Sequence, residues 1–372
     1  MKSAIGVGLV GYAFMGRAHS QAWRSVGAFF DLPILPRLAA LAGRSADATE
    51  AAARTLGWAA TETDWQRLVK REDVQIVDIC TPGDSHAEIA IAALEAGKHV
   101  LCEKPMANTL AEAEAMAAAA AAASARGVRS MVAFNYRRVP AIALARKLVA
   151  EGRVGEIRHV RAQYLQDWLV DPAYPLNWRL RAESAGSGAL GDIGSHIVDT
   201  TQFILDDLIT GVSAITETFV PERPGGTVTV DDTALFLARF GRGAVATFEA
   251  TRFATGRKNA LRIEINGSLG SLAFDFEAMN ELSFHDHTLD PEEAGFRRIL
   301  VTEPGHPYTG AWWPAGHGLG YEHTFTHEVR DFLHAIATDT DPAPSFADGL
   351  QVQRILTAVA TSAVEGSRWT TP

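Results

Sequence analysis

Short apolar runs alternate with helix-like segments through the first third of the chain, and this alternation is the feature that most constrains the fold. The runs predicted as strands are 5–10, 38–42, 74–80, 99–102 and 132–134. Helical segments lie between them, and Gly57 and Gly97 follow two of these segments as stop signals. Short strands separated by helices are typical of a parallel sheet with helices on both faces. The sequence therefore predicts an α/β fold with a doubly wound parallel sheet that ends near Asn135.

The pattern changes in the remainder of the chain, where β-rich runs follow one another with few helices between them. These runs are 158–165, 214–220, 233–240, 244–251, 262–265 and 271–276. Helices are predicted at 140–152, at the segment carrying Asp192 and His196, at 323–337 and at 347–364. This order predicts a large, open and mostly antiparallel sheet with helices on one face. Because 372 residues exceed the size of one ordinary domain, we predict two domains, 1–134 and 135–372.

Charge and composition argue against several classes of partner. A formal net charge of -10 disfavours a nucleic-acid-binding surface, which requires clustered Lys and Arg, and weakly disfavours anionic membranes. No apolar run approaches the roughly 20 residues needed to span a bilayer. The two cysteines, Cys80 and Cys102, end predicted buried strands, and buried free thiols are common in a reducing compartment. We therefore predict a cytoplasmic protein with neither a nucleic-acid nor a membrane partner.

A glycine-rich turn follows the first predicted strand and opens the first predicted helix. The segment 6–11 matches G-x-G-x-x-G literally, but it lies within the strand itself. A phosphate-binding turn must follow the strand, so that amide groups and the helix dipole face the pyrophosphate. The residues in that place are Gly11, Tyr12, Ala13, Phe14, Met15 and Gly16. They predict dinucleotide binding, with Ala13 pushing the diphosphate slightly outward relative to glycine.

The end of the second predicted strand bears on which dinucleotide is bound. An acidic residue there would hold the ribose 2′-hydroxyl of NAD, but the first carboxylate is at Asp47. Arg44 and Ser45 stand closer to the strand and could hold a 2′-phosphate. The prediction therefore leans towards NADP. In the alternative, Arg44 stacks on adenine or faces solvent, and NAD is bound.

Two further segments carry candidate acid/base groups. Lys104 follows the strand at 99–102, at the carboxyl edge of the parallel sheet, and its ammonium group could stabilise alkoxide character on a substrate oxygen. Asp192 and His196 are four residues apart and would share a helix face. Histidine titrates near neutral pH, so His196 could accept a hydroxyl proton while Asp192 orients it. The alternatives are a surface lysine beside a turn and a structural pair on a helix. Together these groups predict a nicotinamide-dependent dehydrogenase.

No metal site is predicted from the histidines near the C-terminus. His323 and His327 have helical i,i+4 spacing and His317 lies nearby, but the sequence contains no H-E-x-x-H motif and no cysteine close to them. Hydride transfer from an alcohol requires no metal.

Several motifs, in this order, resemble those of the Gfo/Idh/MocA oxidoreductase family. They are GLVGYAFMGRAHS at 8–20, TPGDSHAEIA at 81–90, CEKPMA at 102–107 and GSGALGDIGSH at 186–196. The resemblance covers essentially the full length. Within that family, further stretches are similar to levoglucosan dehydrogenases: AFNYRR at 133–138, YLQDW at 164–168, VPERP at 220–224 and PSFADG at 344–349.

The resemblance implies a Rossmann domain followed by an α/β domain whose open sheet forms the interfaces of a homo-oligomer, either a dimer or a tetramer. It implies catalytic roles for Lys104, Asp192 and His196. The positions that it implies for cofactor contacts are Thr81, Pro82, His86, Glu103, Lys104 and, close to the nicotinamide, Asn135. Candidates for a sugar pocket are Tyr136, Arg137, Gln166, Trp168 and Arg179, together with Asp192 and His196. The sequence leaves open whether Trp178 and Arg179 contact the sugar or the cofactor.

These features predict an enzyme that transfers hydride between NAD(P) and a ring hydroxyl of an anhydrosugar, a glucoside or a related polyol. The resemblance implies the C3 hydroxyl. One alternative is a glycoside-cleaving enzyme with tightly held NAD, in which oxidation at C3 acidifies the C2 proton and permits elimination. The other is a non-enzymatic regulator that binds dinucleotide and sugar. An intact set of Lys104, Asp192 and His196 disfavours the regulator, because a sensor needs no acid/base groups.

Overall fold

The computed structural model describes residues 3–372, which form two compact units. The first unit contains the residues up to Asn135 together with Gly320–Gln351, and the second contains Tyr136–Leu319 and Val352–Pro372. The segment 320–351, which the sequence pattern groups with 135–372, thus belongs with the N-terminal sheet. Val132 donates its N–H to the Pro344 carbonyl oxygen at 3.0 Å, which ties this segment to the last strand of that sheet.

In chain order the strands are β1 (Ala4–Val10), β2 (Leu35–Ala42), β3 (Ala60–Glu62), β4 (Ile76–Ile79), β5 (His99–Cys102), β6 (Ser130–Val132), β7 (Ile157–Leu165), β8 (Ile209–Glu217), β9 (Glu222–Arg223), β10 (Gly226–Thr227), β11 (Thr233–Phe240), β12 (Val245–Thr251), β13 (Ala260–Gly267), β14 (Gly270–Asp275), β15 (Glu281–Asp286) and β16 (Arg297–Leu300). The α-helices are α1 (Phe14–Phe29), α2 (Ala46–Leu56), α3 (Trp65–Lys70), α4 (His86–Glu95), α5 (Leu110–Ser124), α6 (Pro140–Ala150), α7 (Ala182–Ala185), α8 (Ser195–Leu205), α9 (Tyr321–Thr338) and α10 (Phe346–Val364). Within residues 3–372, no helix combines the length and apolar character needed to cross a membrane.

The sheet of the first unit is parallel throughout. Its strand order is β3-β2-β1-β4-β5-β6, and a helix joins each strand to the next. The four residues of β4 are all buried, as expected of a strand covered on both faces. This arrangement confirms the predicted doubly wound sheet. Because the strand order reverses between β1 and β4, the loops after these strands diverge at the carboxyl edge, where folds of this kind bind ligands.

Two helix starts in the first unit carry the S/T-x-x-E pattern, but only one forms a capping box. The Thr109 hydroxyl accepts the Glu112 N–H at 3.2 Å, and a Glu112 carboxylate oxygen accepts the Thr109 N–H at 2.9 Å. Ser85 and Glu88 have the same spacing but form no capping box. The Ser85 hydroxyl instead donates to Thr81 Oγ1 at 2.7 Å, within a 3-10 turn that precedes α4. Ser85 therefore fixes the loop after β4 and does not cap the helix.

The sheet of the second unit has eight strands in the order β16-β15-β14-β13-β7-β12-β11-β8. Neighbouring strands are antiparallel except for the pair β12 and β7, which confirms the predicted large and mostly antiparallel sheet. Along β11, Ala234, Phe236 and Ala238 are buried, whereas Leu235 and Leu237 are exposed. One face of the sheet is therefore covered and the other is open. The sequence does not predict β15 and β16, because polar and charged residues interrupt their apolar positions.

Candidate active site

The glycine turn after β1 has a backbone that only glycine tolerates at its two ends. Gly11 has a φ of +95°, and a Cβ added there would lie 2.7 Å from the Cys80 carbonyl oxygen. A Cβ added at Gly16 would lie 2.2 Å from the Gly11 carbonyl oxygen. Ala13, the N-cap residue of α1, is exposed and has no polar side chain to accept the first N–H groups of the helix. These backbone groups at the positive end of a 16-residue helix suit a dinucleotide diphosphate.

The end of β2 lies beside this turn. Gly43 has no room for a side chain, because an added Cβ would lie 2.1 Å from the Tyr12 ring. Arg44 and Ser45 are both exposed, and Ser45 is the N-cap residue of α2. The residues predicted to distinguish NADP from NAD are therefore accessible to a ribose at this edge of the sheet.

A buried histidine joins the loops that follow β4 and β5. His86 Nε2 lies 2.9 Å from the Thr81 carbonyl oxygen, and Nδ1 lies 3.0 Å from the Pro105 carbonyl oxygen. Thr81 and Pro82 are half-buried. The structure thus brings together most of the residues predicted to line the cofactor in this region. His86 holds the two loops by their backbones.

Lys104 is the second residue after β5 and is half-buried. The preceding residue, Glu103, is buried, and its Oε2 accepts the Lys104 N–H at 3.0 Å. The other oxygen, Oε1, lies 3.0 Å from His19 Nε2. Both carboxylate oxygens of Glu103 therefore have partners within the protein, and its predicted contact with the cofactor stays a prediction.

A charged cluster fills the space between α1, β4 and the end of β5. His19 Nδ1 lies 3.0 Å from both carboxylate oxygens of Asp78, and Trp23 Nε1 donates to Asp78 Oδ2 at 2.7 Å. Burial, the largest single effect, lowers the pKa of His19, but the charge of Asp78, the proximity of Cys80 and the hydrogen bonds to both together hold that pKa well above 6.5. Burial, the largest single effect, raises the pKa of Glu103, but the hydrogen bond and charge of His19 together with the charge and N–H of Lys104 leave that pKa lowered. Burial also raises the pKa of the Cys80 thiol. The cluster is thus an imidazolium held between two carboxylates.

Asn135, predicted close to the nicotinamide, is buried after β6. Its Nδ2 donates to Thr324 Oγ1 on α9 at 2.9 Å. The Thr324 hydroxyl in turn donates to the Tyr321 carbonyl oxygen at 2.6 Å. The amide of Asn135 is therefore held by a helix of the same unit, through a residue that lies 189 positions further along the chain.

In the second unit, Asp192 lies in a π-helical turn, Leu190–Gly194, that precedes α8. Such turns are rare and frequent at functional sites. Because their hydrogen bonds join residues i and i+5, the relation between positions 192 and 196 differs from the α-helical one that the sequence analysis assumes. Asp192 is partly exposed and His196 is buried.

Asp231 holds the π-helical turn from outside. Its Oδ1 accepts the Gly188 N–H at 2.7 Å and its Oδ2 accepts the Leu190 N–H at 2.8 Å. The Asp231 carbonyl oxygen accepts from Arg252 Nη2, also at 2.7 Å. Burial lowers the pKa of the Arg252 guanidinium, and nearby carboxylates, first that of Asp192, oppose this shift. The sequence analysis does not identify Asp231 or Arg252, because neither has a spacing relative to Asp192 that marks it.

His196 lies in an aromatic and amide network. Its ring centroid is 4.5 Å from that of Tyr136 and 5.9 Å from that of Tyr164. The two tyrosine hydroxyls are 2.6 Å apart, and Tyr164 Oη donates to Asn259 Oδ1 at 2.7 Å. Gln166 Nε2 donates to the same amide oxygen at 2.9 Å. Tyr136 and Gln166 were predicted for the substrate pocket, whereas Tyr164 and Asn259 were not.

The other predicted pocket residues have different surroundings. Arg137 is buried and donates through Nε and Nη2 to both carboxylate oxygens of Asp199, at 2.8 and 2.6 Å. Trp168 Nε1 donates to Gln166 Oε1 at 3.0 Å. The Arg179 guanidinium stacks over the Trp178 ring, 4.4 Å from its centroid. Gln166 and Trp168 thus form one hydrogen-bonded group, while the buried ion pair neutralises Arg137.

Two of the histidines considered as metal ligands, His323 and His327, have contacts within the protein. His323 Nδ1 accepts the Gly320 N–H at 2.9 Å at the start of α9, and buried His327 packs edge-on against Phe30. Among residues 3–372, His19, Asp78 and Cys80 are the group whose potential ligand atoms lie within 4.8 Å of one another. Each ring nitrogen of His19 already lies at hydrogen-bond distance from a carboxylate.

A glycine turn that follows β1 and opens a helix, with a lysine after β5 at the same carboxyl edge of the parallel sheet, indicates the class of dinucleotide-binding oxidoreductases. Residues 5–134 match the oxidoreductase family with an NAD-binding Rossmann fold. Residues 142–273 match the GFO/IDH/MocA C-terminal domain. The chain belongs to the GFO/IDH/MocA oxidoreductase family, as predicted.

Similar proteins cover almost the whole chain. The levoglucosan dehydrogenase of Pseudarthrobacter phenanthrenivorans is 42% identical over 383 aligned positions, which cover 98% of this chain and 97% of that protein. A crystal structure of an oxidoreductase domain protein from Kribbella flavida is 70% identical, with a TM-score of 0.98 over 100% of this chain and 99% of that one. Levoglucosan dehydrogenase in complex with NADH and levoglucosan is 43% identical, with a TM-score of 0.96 over 99% of each chain.

Proposed function

We propose that this oxidoreductase is a sugar dehydrogenase that oxidises a ring hydroxyl, at C3, of an anhydrosugar or glucoside. The observation that carries the proposal is the full-length similarity to levoglucosan dehydrogenase, solved with NADH and levoglucosan. The side chains available for the chemistry support it. Lys104 is fixed by its backbone, and the turn that carries Asp192 is held by Asp231.

Lys104, His196 and Asp192 have different roles in the proposed reaction. The bound nicotinamide supplies the acceptor for the hydride that leaves the sugar carbon. The Lys104 ammonium donates a hydrogen bond to the reacting oxygen and stabilises its developing negative charge. His196 accepts the hydroxyl proton as general base, and the Asp192 carboxylate orients the imidazole and the sugar. The product is the corresponding 3-keto sugar, and one proton is released for each hydride transferred.

We propose NAD as the cofactor. The relatives solved with NADH support it, while exposed Arg44 and Ser45 support the predicted preference for NADP. The ratio of kcat/KM with NADP to kcat/KM with NAD distinguishes the two possibilities, because a guanidinium partner strengthens the binding of a 2′-phosphate more than that of a free 2′-hydroxyl. Separate assays with NAD and NADP give that ratio.

We also propose that the protein is a homo-oligomer that pairs through the open face of the second sheet. Ile215 and Leu237 are 56% and 55% exposed, and Leu235 lies between them on the same face. Ile215 on β8 and Leu235 and Leu237 on β11 line one shallow groove. A contiguous apolar patch on a regular sheet suits a second copy of the same surface.

The test follows nicotinamide absorbance with NAD and NADP separately, against levoglucosan, glucose, simple glucosides and inositols. We expect an anhydrosugar or glucoside to reduce one cofactor. Lys104→Met should lower kcat about 100-fold or more and leave NADH binding intact. Absence of turnover across the panel, with NADH bound, would contradict the proposal. Cleavage of a glucoside without net cofactor reduction would favour the glycoside-cleaving enzyme. Absence of both activities would favour the regulator.

A further inference from the structure

The side chains of the cluster formed by His19, Asp78 and Glu103 are at most 5% exposed. None of them takes part in the chemistry proposed above. The three residues come from separate elements: α1, β4 and the loop after β5. Even paired charges carry a desolvation penalty when they are buried, and apolar side chains of similar volume would pack there without it, so this cluster requires an explanation beyond packing.

Glu103 connects the cluster to Lys104. One of its carboxylate oxygens lies 3.0 Å from His19 Nε2, and the other accepts the Lys104 N–H at the same distance. A carboxylate is planar, so fixing one oxygen fixes the direction of the other. The orientation of His19 is itself fixed at Nδ1 by Asp78, which also accepts a hydrogen bond from Trp23. The hydrogen bonds therefore run without interruption from β4 through His19 to the backbone of Lys104.

His19 also connects Lys104 to the glycine turn. It lies three residues after Gly16, on the first turns of α1. The helix that begins at the phosphate-binding turn is thereby joined, through one imidazole, to the loop that carries the lysine. The Lys104 ammonium bears electrostatically on the same carboxylate, because it is one of the charges that lower the pKa of Glu103.

We infer that His19 is a positioning residue for Lys104. Held between Asp78 and Glu103, it fixes the main chain of Lys104 relative to α1, so that the ammonium group meets the reacting oxygen of a sugar bound beside the cofactor. This inference rests on the proposed function, because it assigns His19 to the lysine used there.

A double-mutant cycle tests whether His19 acts through Lys104. We expect His19→Gln to lower kcat about 10- to 100-fold, since small displacements of a positioned group have effects of this size. NADH binding, measured by fluorescence titration, should change by less than about 3-fold. In the Lys104→Met background the same change should lower the remaining kcat by less than about 2-fold. A full further loss in that background would overturn the inference.

Two matched variants separate positioning from stability. Glu103→Gln keeps an oxygen for the Lys104 N–H and presents an amide N–H to Nε2 of a His19 that is neutral in this variant and still donates from Nδ1 to Asp78, so it should retain kcat within about 5-fold while Glu103→Ala loses activity as His19→Gln does. His99→Gln changes a histidine at the opposite end of β5 and should leave kcat unchanged. Equal losses in Glu103→Gln and Glu103→Ala would show that only the buried charge matters and would overturn the inference.

A measurement without turnover keeps this test independent of the proposed function. Competitive acetylation followed by mass spectrometry gives the reactivity of Lys104 relative to Lys147, an exposed lysine on α6. We expect His19→Gln to change the ratio several-fold and His99→Gln to leave it unchanged. An unchanged ratio in His19→Gln would overturn the positioning role. Normal sugar turnover in Lys104→Met would contradict the proposed function instead.

Discussion

At the residue scale, the charge of His19 links the stability of the first unit to pH. The groups that face it are the Asp78 and Glu103 carboxylates and the Cys80 thiol. The pKa of His19 in the folded chain lies well above 6.5, its ordinary value. A group with a raised pKa contributes its full stabilisation below its unfolded pKa and loses it as pH rises through the folded pKa. Stabilisation by His19 is therefore complete below about pH 6.5 and is lost as pH rises through the raised pKa of the folded chain.

His19→Gln should consequently destabilise the protein by about 3–5 kcal/mol near pH 6, because it leaves two buried carboxylates without their cation. The difference from the wild type should shrink as pH rises through the folded pKa of His19. Urea denaturation between pH 6 and 10 measures it. Burial lowers the pKa of His99 to about 4, and above about pH 7.5 that side chain is neutral in both the folded and the unfolded chain, so His99→Gln should show a constant difference from there upwards. A difference for His19→Gln that is constant or grows with pH would contradict the assignment of charge.

At the element scale, the π-helical turn at Leu190–Gly194 depends on a carboxylate outside it. One carboxylate oxygen of Asp231 accepts the N–H of Gly188, just before the turn, and the other accepts the N–H of Leu190, the first residue of the turn. Asp231→Asn leaves one acceptor and turns an amide donor towards the other N–H. The turn should shift, and with it the side chain of Asp192.

We expect Asp231→Asn to lower kcat about 10-fold or more for the sugar that is oxidised, with NADH binding unchanged. Asp207→Asn is the matched control. Asp207 also accepts two backbone N–H groups, those of Leu208 and Arg242, in a surface loop of the same unit. Asp207→Asn should lower the free energy of unfolding by about as much as Asp231→Asn does, and it should leave kcat unchanged. Equal effects on kcat in both variants would show that Asp231 has no particular relation to Asp192.

Elements differ in how far their sequences specify them. The strands β1, β4 and β5 and the capping box at Thr109 could be predicted, because their signals lie within a few residues of one another. The same signal at Ser85 fails, since the Thr81 hydroxyl offers a closer partner from the preceding loop. A π-helical turn at Asp192 has no distinguishing pattern in the sequence. Local rules therefore fail where a neighbouring segment competes for the same polar group.

At the scale of the whole molecule, contacts between distant residues account for what the sequence does not show. The residues Lys104, Asp192 and His196 could be singled out because each lies in a recognisable motif. The partners that hold them could not, since His19 and Glu103 are separated by 84 positions, and Asp231 is separated from Gly188 by 43. The return of 320–351 to the first unit depends on similar contacts, such as that between Val132 and Pro344. The candidate residues of the site thus have signals in the sequence, whereas the residues that hold them have none.

The proposed oligomer belongs to this scale as well, because it depends on a surface and not on a motif. Leu237 lies within β11, between β8 and β12, and its side chain points to the open face. We expect Leu237→Glu to dissociate the oligomer while the monomer stays folded, because a carboxylate on an open face is solvated in the monomer and buried without a partner in the assembly. Light scattering coupled to gel filtration measures the mass. Val364→Glu, at an exposed residue that ends α10, should leave the mass unchanged. A wild-type chain that is monomeric at micromolar concentration, or an oligomer that persists in Leu237→Glu, would contradict pairing through this face.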